Sequence, residues 1–167
     1  MNVNEIMTAD VASCSSESNL EEIARLMWDR DCGAIPVVNH KGNPVGIVTD
    51  RDIAMAAMLN HKPLWEIGAE QVIQGQRLCT CEQEDSVAHC LTKMEQNGIR
   101  RMPIVDAKGH LAGIVSMGDA VAFAAKAGNS RQKQKAAKGV PVQELVDMLQ
   151  HVSAHHAAKK QAVTRAS

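Results

Sequence analysis

Apolar and polar positions alternate along this chain in two rounds of the same programme. Residues 2–8 read as a short helical lead-in to Met7, and Val11 to Ser15 as a short strand. Leu20, Ile23, Ala24, Met27 and Trp28 recur at helical spacing, behind a start signal in which Ser18 caps and Glu21 follows three residues on. Gly33 ends that helix. Ile35 to Val38 is a continuous apolar run, Asn39 to Asn43 a turn containing Gly42, and Val45 to Val48 a returning strand, which predicts a hairpin. A helix follows over Asp52 to Leu59, and His61 to Ile67, with Pro63, reads as a linker. The second round has a lead-in at Glu70 to Ile73, a strand at Leu78 to Cys81, and a helix capped by Asp85 that runs to Gln96 and stops at Gly98. A second hairpin, Met102 to Val105 and Leu111 to Val115, turns at Lys108-Gly109, and Asp119 to Lys126 closes the round. Each round is β-α-β-β-α. A unit this small buries its sheet poorly alone, so the pattern predicts an α+β fold of two such repeats packed face to face with pseudo-two-fold symmetry.

Residue identities support the duplication. Gly46-Ile-Val-Thr-Asp-Arg-Asp52 recurs 67 positions later as Gly113-Ile-Val-Ser-Met-Gly-Asp119, and the match extends back without a gap through Gly42/Gly109, Lys41/Lys108, Val38/Val105 and Pro36/Pro103. The expected boundaries are 1–60 for the first repeat, 61–68 for a linker, 69–127 for the second repeat and 128–167 for a tail. In the tail, Asn129 to Gly139 is polar and basic. Pro141 suits the first turn of a helix in which Val142, Leu145, Val146 and Leu149 form one face to about His151, and residues 157–167 are expected to be disordered.

Composition narrows the chemistry. The 167 residues are 45% hydrophobic, but only Trp28, Trp65 and Phe123 are aromatic, so the core must be aliphatic and base-stacking platforms are nearly excluded. No apolar run reaches the roughly 18 residues that span a membrane. No basic segment followed by an apolar one opens the sequence, so the expected location is the cytoplasm. From residue 126 onward eight Lys or Arg face only Glu144 and Asp147, whereas the whole chain carries −1; an acidic body bears a basic tail. Five cysteines at irregular spacing make a poor disulfide framework. Cys79-x-Cys81 could begin a metal site, but no second close pair follows and strand alternation turns both side chains toward ordinary packing. His151 and His155 lack a carboxylate or thiol partner, so no metal ligand is assigned.

The repeated stretch carries two possible chemistries. Gly46 and Gly113 allow close approach of another backbone or a flat ligand. The hydroxyls of Thr49 and Ser116 stand where a strand gives way to a helix, whose free N–H groups favour an anion. Asp52 and Asp119 lie one turn on, with two acceptor oxygens each, suited to the two donors of a ribose diol. Phosphate plus diol describes a nucleotide. The same Thr-x-x-Asp and Ser-x-x-Asp spacing also describes a capping box that needs no ligand.

The sequence resembles a tandem pair of cystathionine-β-synthase-type (CBS) domains over roughly residues 3–126. Asp10-Val-Ala-Ser-Cys-Ser-Ser, Gly33-Ala-Ile-Pro-Val-Val-Asn and Gly46-Ile-Val-Thr-Asp-Arg-Asp carry the resemblance in the first copy. Arg77-Leu-Cys-Thr-Cys, Arg100-Arg-Met-Pro-Ile-Val-Asp and Gly113-Ile-Val-Ser-Met-Gly-Asp carry it in the second. The resemblance implies a module that binds adenosine derivatives (AMP, ADP or ATP, with NAD or S-adenosylmethionine as further possibilities) in clefts between the copies. It implies that Asp52 and Asp119 hold ribose hydroxyls and that Thr49 and Ser116 contact phosphate or ribose. Ser13 and Thr80 would line the clefts, and Ile35-Pro36 and Met102-Pro103 would border adenine. Arg51, preceded by Asp50, would offer the phosphate a positive charge in the first copy. The second copy has Met117-Gly118 there, leaving Arg100 or Arg101 to reach phosphate from the neighbouring strand, so unequal sites are expected.

No Ser-His-Asp order, paired-carboxylate cleft or phosphate-cradling Gly-rich loop points to an enzyme. The reading is a regulatory nucleotide sensor that changes the arrangement of a homodimer or the contact surface of a regulated protein, with helices 53–59 and 120–126 as dimer faces. The alternatives are a scaffold with vestigial pockets and, less favoured, weak salt-sensitive nucleic-acid binding through the basic tail.

Overall fold

The computed structural model describes residues 1–128, with side chains through Phe123; the expectations for the tail, including His151 and His155, lie outside these residues. The fold is α+β, with two three-stranded sheets and five α-helices. In order, they are β1 (Cys14–Ser15), α1 (Leu20–Asp29), β2 (Ala34–Val38), β3 (Pro44–Thr49), α2 (Asp50–Asn60), α3 (Ala69–Ile73), β4 (Cys81–Glu82), α4 (Val87–Gln96), β5 (Arg101–Val105), β6 (Leu111–Ser116) and α5 (Met117–Gly128). Single 3₁₀ turns form at Val3–Glu5 and Leu64–Glu66. No helix among the described residues is long and apolar enough to cross a membrane.

The residues form two compact units whose borders do not follow the repeat. One unit, here the first-repeat unit, holds residues 10–80 and 105–113; the other, the second-repeat unit, holds, of the described residues, 1–9, 81–104 and 114–128.

In the first-repeat unit β1 pairs parallel with β2 (Cys14↔Val37), and β2 pairs antiparallel with β3 (Ile35↔Val48), with an irregularity between Val37 and Val38. The apolar stripe of α1 (Leu20, Ile23, Met27) is buried with Ile35, Val37, Val48 and Ile53. Ile67 and Ala69, which follow the first repeat, lie fully buried in the same cluster. Backbone hydrogen bonds fasten them: Leu20 N–H to the Ile67 carbonyl (2.9 Å), Ala69 N–H to Ser18 (2.8 Å) and Glu70 N–H to Ser16 (3.2 Å).

The second-repeat unit is finished the same way, by the start of the chain. Val87 N–H donates to the Met1 carbonyl (3.3 Å), Val3 N–H to Asp85 (2.9 Å) and Asn4 N–H to Gln83 (3.1 Å). Val3 is fully buried. Thr8 and Ile114 exchange both backbone hydrogen bonds (2.9 and 3.0 Å), which extends the sheet beside β6. Its core also includes Cys81, Val87, Cys90, Leu91, Met94, Met102, Ile104, Val115 and Ala120.

Local chemistry moves two helix starts by one residue. Ser18 does not cap α1: its carbonyl is taken by Ala69, and Asn19 forms the capping box, accepting from Glu22 N–H (3.0 Å) while Glu22 accepts from Asn19 N–H (3.3 Å). Asp85 closes the preceding turn by accepting from Glu82 N–H (2.9 Å), and Ser86 caps α4 through His89 N–H (3.1 Å). The first strands shrink to two residues each because only Cys14–Ser15 and Cys81–Glu82 pair. The hairpin turns are near copies. Asn39 and Asp106 each accept two N–H groups with one side-chain oxygen, and Gly42 and Gly109 take φ of 81° and 83°. The Asp106 carboxyl is held below its ordinary range, first by the His110 N–H.

Gly46 faces the Ile73 side chain rather than a ligand. A Cβ there would lie 2.6 Å from Ile73 Cγ2 and 2.7 Å from Ile73 Cβ, so the side chain of α3 fills the space a larger residue needs. Gly46→Val should lower unfolding free energy by about 1–3 kcal/mol through overpacking, read as a lower midpoint in urea, and Ile73→Ala should recover part of the loss in the double variant. Val3→Ala, which empties the pocket filled by the chain start, should cost about 1–3 kcal/mol; a change within 0.3 kcal/mol in the same titration would contradict the role given to that segment.

Candidate functional site

Both repeated motifs sit on a strand-to-helix junction, and each is a complete capping box. At the end of β3, Thr49 has extended backbone (φ −108°, ψ 162°) and its Oγ1 accepts from Asp52 N–H at 3.2 Å. In return Asp52 Oδ2 accepts from Thr49 N–H (2.9 Å) and from the Thr49 hydroxyl (2.7 Å). At the end of β6, Ser116 and Asp119 repeat this: Ser116 N–H and hydroxyl reach Asp119 Oδ2 at 2.7 and 2.6 Å, and Asp119 N–H reaches Ser116 Oγ at 3.3 Å. The junctions are tied to the opposite loop alike, Asp50 N–H to the Gly33 carbonyl (3.4 Å) and Met117 N–H to Arg100 (3.1 Å).

The cap uses one oxygen of each aspartate. The other, Oδ1, makes no hydrogen bond among the described residues, and Asp52 and Asp119 are half-buried. Each junction therefore presents one uncommitted carboxylate oxygen beside the N-terminus of a helix more than two turns long. A carboxylate oxygen accepts from a hydroxyl, and the helix N-terminus favours an anion.

The other expected site residues divide by unit. In the first-repeat unit, Ala34 and Ile35 are registered with Thr49 and Val48, which sets Ile35-Pro36 beside the junction; exposed Ser13 immediately precedes β1. Ile35 and Pro36 are buried, Ile35 completely. Asp50 is exposed and accepts from Arg51 N–H (2.8 Å), while Arg51 is exposed and makes no ion pair among the described residues. An open cavity of about 440 Å³ adjoins this junction, between Met27 and Trp28 of α1 and Asp50 and Ile53 of α2. Half-buried Thr80 ends the first of the two segments that make up this unit.

In the second-repeat unit, Met102 and Pro103 are buried, Arg101 is half-buried and Arg100 exposed. Met102 Sδ lies 3.9 Å from Cys90 Sγ, so its side chain belongs to the core. Neither Met117 nor Gly118 supplies a cation, and the two junctions differ in charge as the sequence implies. Among the thiols, burial and then Glu22 push Cys14 up to about 11. The Cys90 thiol beside Cys81 holds Cys81 below its ordinary range, and the same contact with burial drives Cys90 up.

A family model described as CBS domain matches residues 3–59 and again residues 71–126. The CBS domain-containing protein YhcV of Bacillus subtilis is 36% identical over 121 residues, which is 70% of this chain and 81% of that protein. Protein MK0525 of Methanopyrus kandleri is 35% identical over 119 residues, 71% of this chain but 60% of that protein, so the chain spans less than two thirds of that relative. Among solved structures, the CBS domain pair of protein MJ0100, in complex with 5′-methylthioadenosine and S-adenosyl-L-methionine, has a TM-score of 0.63 and 28% identity over 75% of this chain and 98% of that one. The two matched segments carry the two junctions in order, and the chain belongs to the CBS domain family as a tandem pair.

Proposed function

We propose that this protein is a non-catalytic regulatory module of the cytoplasm that binds an adenosine-derived ligand at the β3–α2 and β6–α5 junctions. The observation carrying this reading is the uncommitted Oδ1 of Asp52 and of Asp119, each beside a helix N-terminus in the same strand-to-helix setting. A ribose diol donates to that oxygen, and a phosphate or carboxylate of the ligand meets the helix end. The ligands of the MJ0100 pair both contain adenosine, which agrees in class. AMP, ADP and ATP are the favoured ligands, because exposed Arg51 at the first junction supplies the charge a phosphate needs. NAD and S-adenosylmethionine share the adenosine half.

The first junction is the stronger site on this reading, with Arg51 at hand; the second depends on Arg100 or Arg101. Met55, Met58 and Leu59 are exposed on α2, and Val121 on α5, which supports a homodimer through these helices. Ligand occupancy would then shift the population of dimer arrangements and alter the surface offered to a regulated protein. One observation favours a scaffold instead: each motif forms a complete helix cap, so its presence has a structural explanation without a ligand.

Calorimetric titration of nucleotide-free protein with AMP, ATP, NAD and S-adenosylmethionine separates these readings. Micromolar binding of at least one is expected, weakened about tenfold or more by Asp52→Ala, a loss of about 1.4 kcal/mol or more, and less by Asp119→Ala. Arg51→Ala should weaken ATP more than S-adenosylmethionine. Folded protein giving no heat with any of the four would leave the motifs as caps and favour the scaffold.

A further inference from the structure

We propose that Cys81, Asp85 and His89 form a binding site for a divalent transition-metal ion, zinc in the first instance. Their ligand atoms, one thiol sulfur, one carboxylate oxygen and one imidazole nitrogen, all lie within 4.8 Å of one another. Around tetrahedral zinc such donors stand about 2.0–2.3 Å from the ion and therefore about 3.3–3.8 Å apart. A contraction of no more than about 1.5 Å closes the set, and His89, its exposed member, has room to rotate toward the other two. The mix of sulfur, nitrogen and oxygen suits zinc or cobalt and disfavours magnesium and calcium, which take oxygen ligands. Three protein donors leave a fourth position for water.

The fold holds these donors independently of any ion. Cys81 is buried on β4 and fixes the inner corner. Asp85 is half-buried, and its Oδ2 is oriented by Glu82 N–H at 2.9 Å. His89 lies in the first turn of α4, set by the bond from its N–H to Ser86 Oγ at 3.1 Å. Exposure rises from Cys81 to Asp85 to His89, which gives an ion a route in from solvent. Cys90 stands behind Cys81 and can hydrogen-bond to its sulfur as an outer contact.

The site brackets the backbone that receives the chain start. Val3 and Asn4 donate to the carbonyls of Asp85 and Gln83, and Asn2 Nδ2 donates to Glu84 Oε2 at 2.9 Å. An ion tying residue 81 to residues 85 and 89 would stiffen this stretch and hold residues 2–4 in place.

The test uses the full chain, reduced and stripped with a chelator, then titrated with Co(II). One equivalent should produce the visible bands of four-coordinate cobalt with a thiolate charge-transfer band, and Zn(II) should displace it. His89→Ala, an exposed change that leaves the fold intact by circular dichroism, should weaken binding at least about 100-fold, the upper end of what outer contacts cost. Cys81→Ser should abolish the charge-transfer band, whereas Cys90→Ser should keep it. Zn(II) should also slow hydrogen exchange at the Val3 and Asn4 amides. Absence of bands at one equivalent, or bands that persist unchanged in His89→Ala, overturns the assignment; if Cys81→Ser fails to fold, the His89→Ala result decides.

Discussion

The hydrogen bonds from Ala69 and Glu70 to Ser18 and Ser16, and from Val3 and Asn4 to Asp85 and Gln83, are the contacts on which both units depend. Each repeat leaves a two-residue first strand, an amphipathic helix and a hairpin, which together cannot cover their own apolar faces. The missing cover comes from the segment that precedes the other repeat. Ile67 and Ala69 are fully buried against the helix and hairpin of residues 20–48, and Val3 is fully buried in the second-repeat unit. Small sheets gain stability steeply with added apolar burial, so an exchange of a few residues determines whether either unit has a core. It also explains the close approach at Gly46: Ile73 arrives on the exchanged segment and needs a neighbour without a side chain.

That exchange sets the strand-to-helix junctions. With β3 and β6 held, their last residues have extended backbone and the next residues must start a helix, where several N–H groups lack partners. Thr49 and Ser116 satisfy one of those donors, and Asp52 and Asp119 return the bond to the cap. The carboxylate is thereby immobilised by two hydrogen bonds to a single oxygen. Its second oxygen is positioned at no further entropic cost, because the cap has already fixed the rotamer. A structural role and the proposed ligand role would thus not compete for the same atoms: Oδ2 serves the helix, and the cap leaves Oδ1 unused.

Much of this was legible in the sequence because periodicity and duplication report on burial. The helices at 20–29 and 87–96, both hairpins and both capping motifs follow from apolar spacing and from the match at an offset of 67. What escaped has physical reasons. Ser18 and Asp85 look like caps by residue type, but their carbonyls are engaged by Ala69 and Val3 and the cap passes to Asn19 and Ser86. No local signal announces a partner some 50 or 80 residues away. The destination of Gly46 was hidden for the same reason. Cys81, Asp85 and His89 give no paired-cysteine signal. Their spacing of four and four crosses a strand, a turn and a helix start, and neither strand nor helix periodicity alone would bring the three together.

The two repeats agree where they must fold and differ where they meet solvent. The capping pair, the turn aspartate or asparagine and the turn glycine occur in both. Asp50-Arg51 against Met117-Gly118 is a difference that folding does not require, since both junctions close with the same bonds, and Cys81 matches Cys14 although the residues around the two differ. Cys14 has no counterpart to Asp85 and His89: the matching positions, 67 residues earlier, are Ser18 and Glu22, and Glu22 is occupied in the α1 capping box. A duplicated fold carries its stabilising features twice, so a feature present once is free of that duty. In this chain such features are the cation at the first junction and the thiol–carboxylate–imidazole cluster of the second-repeat unit.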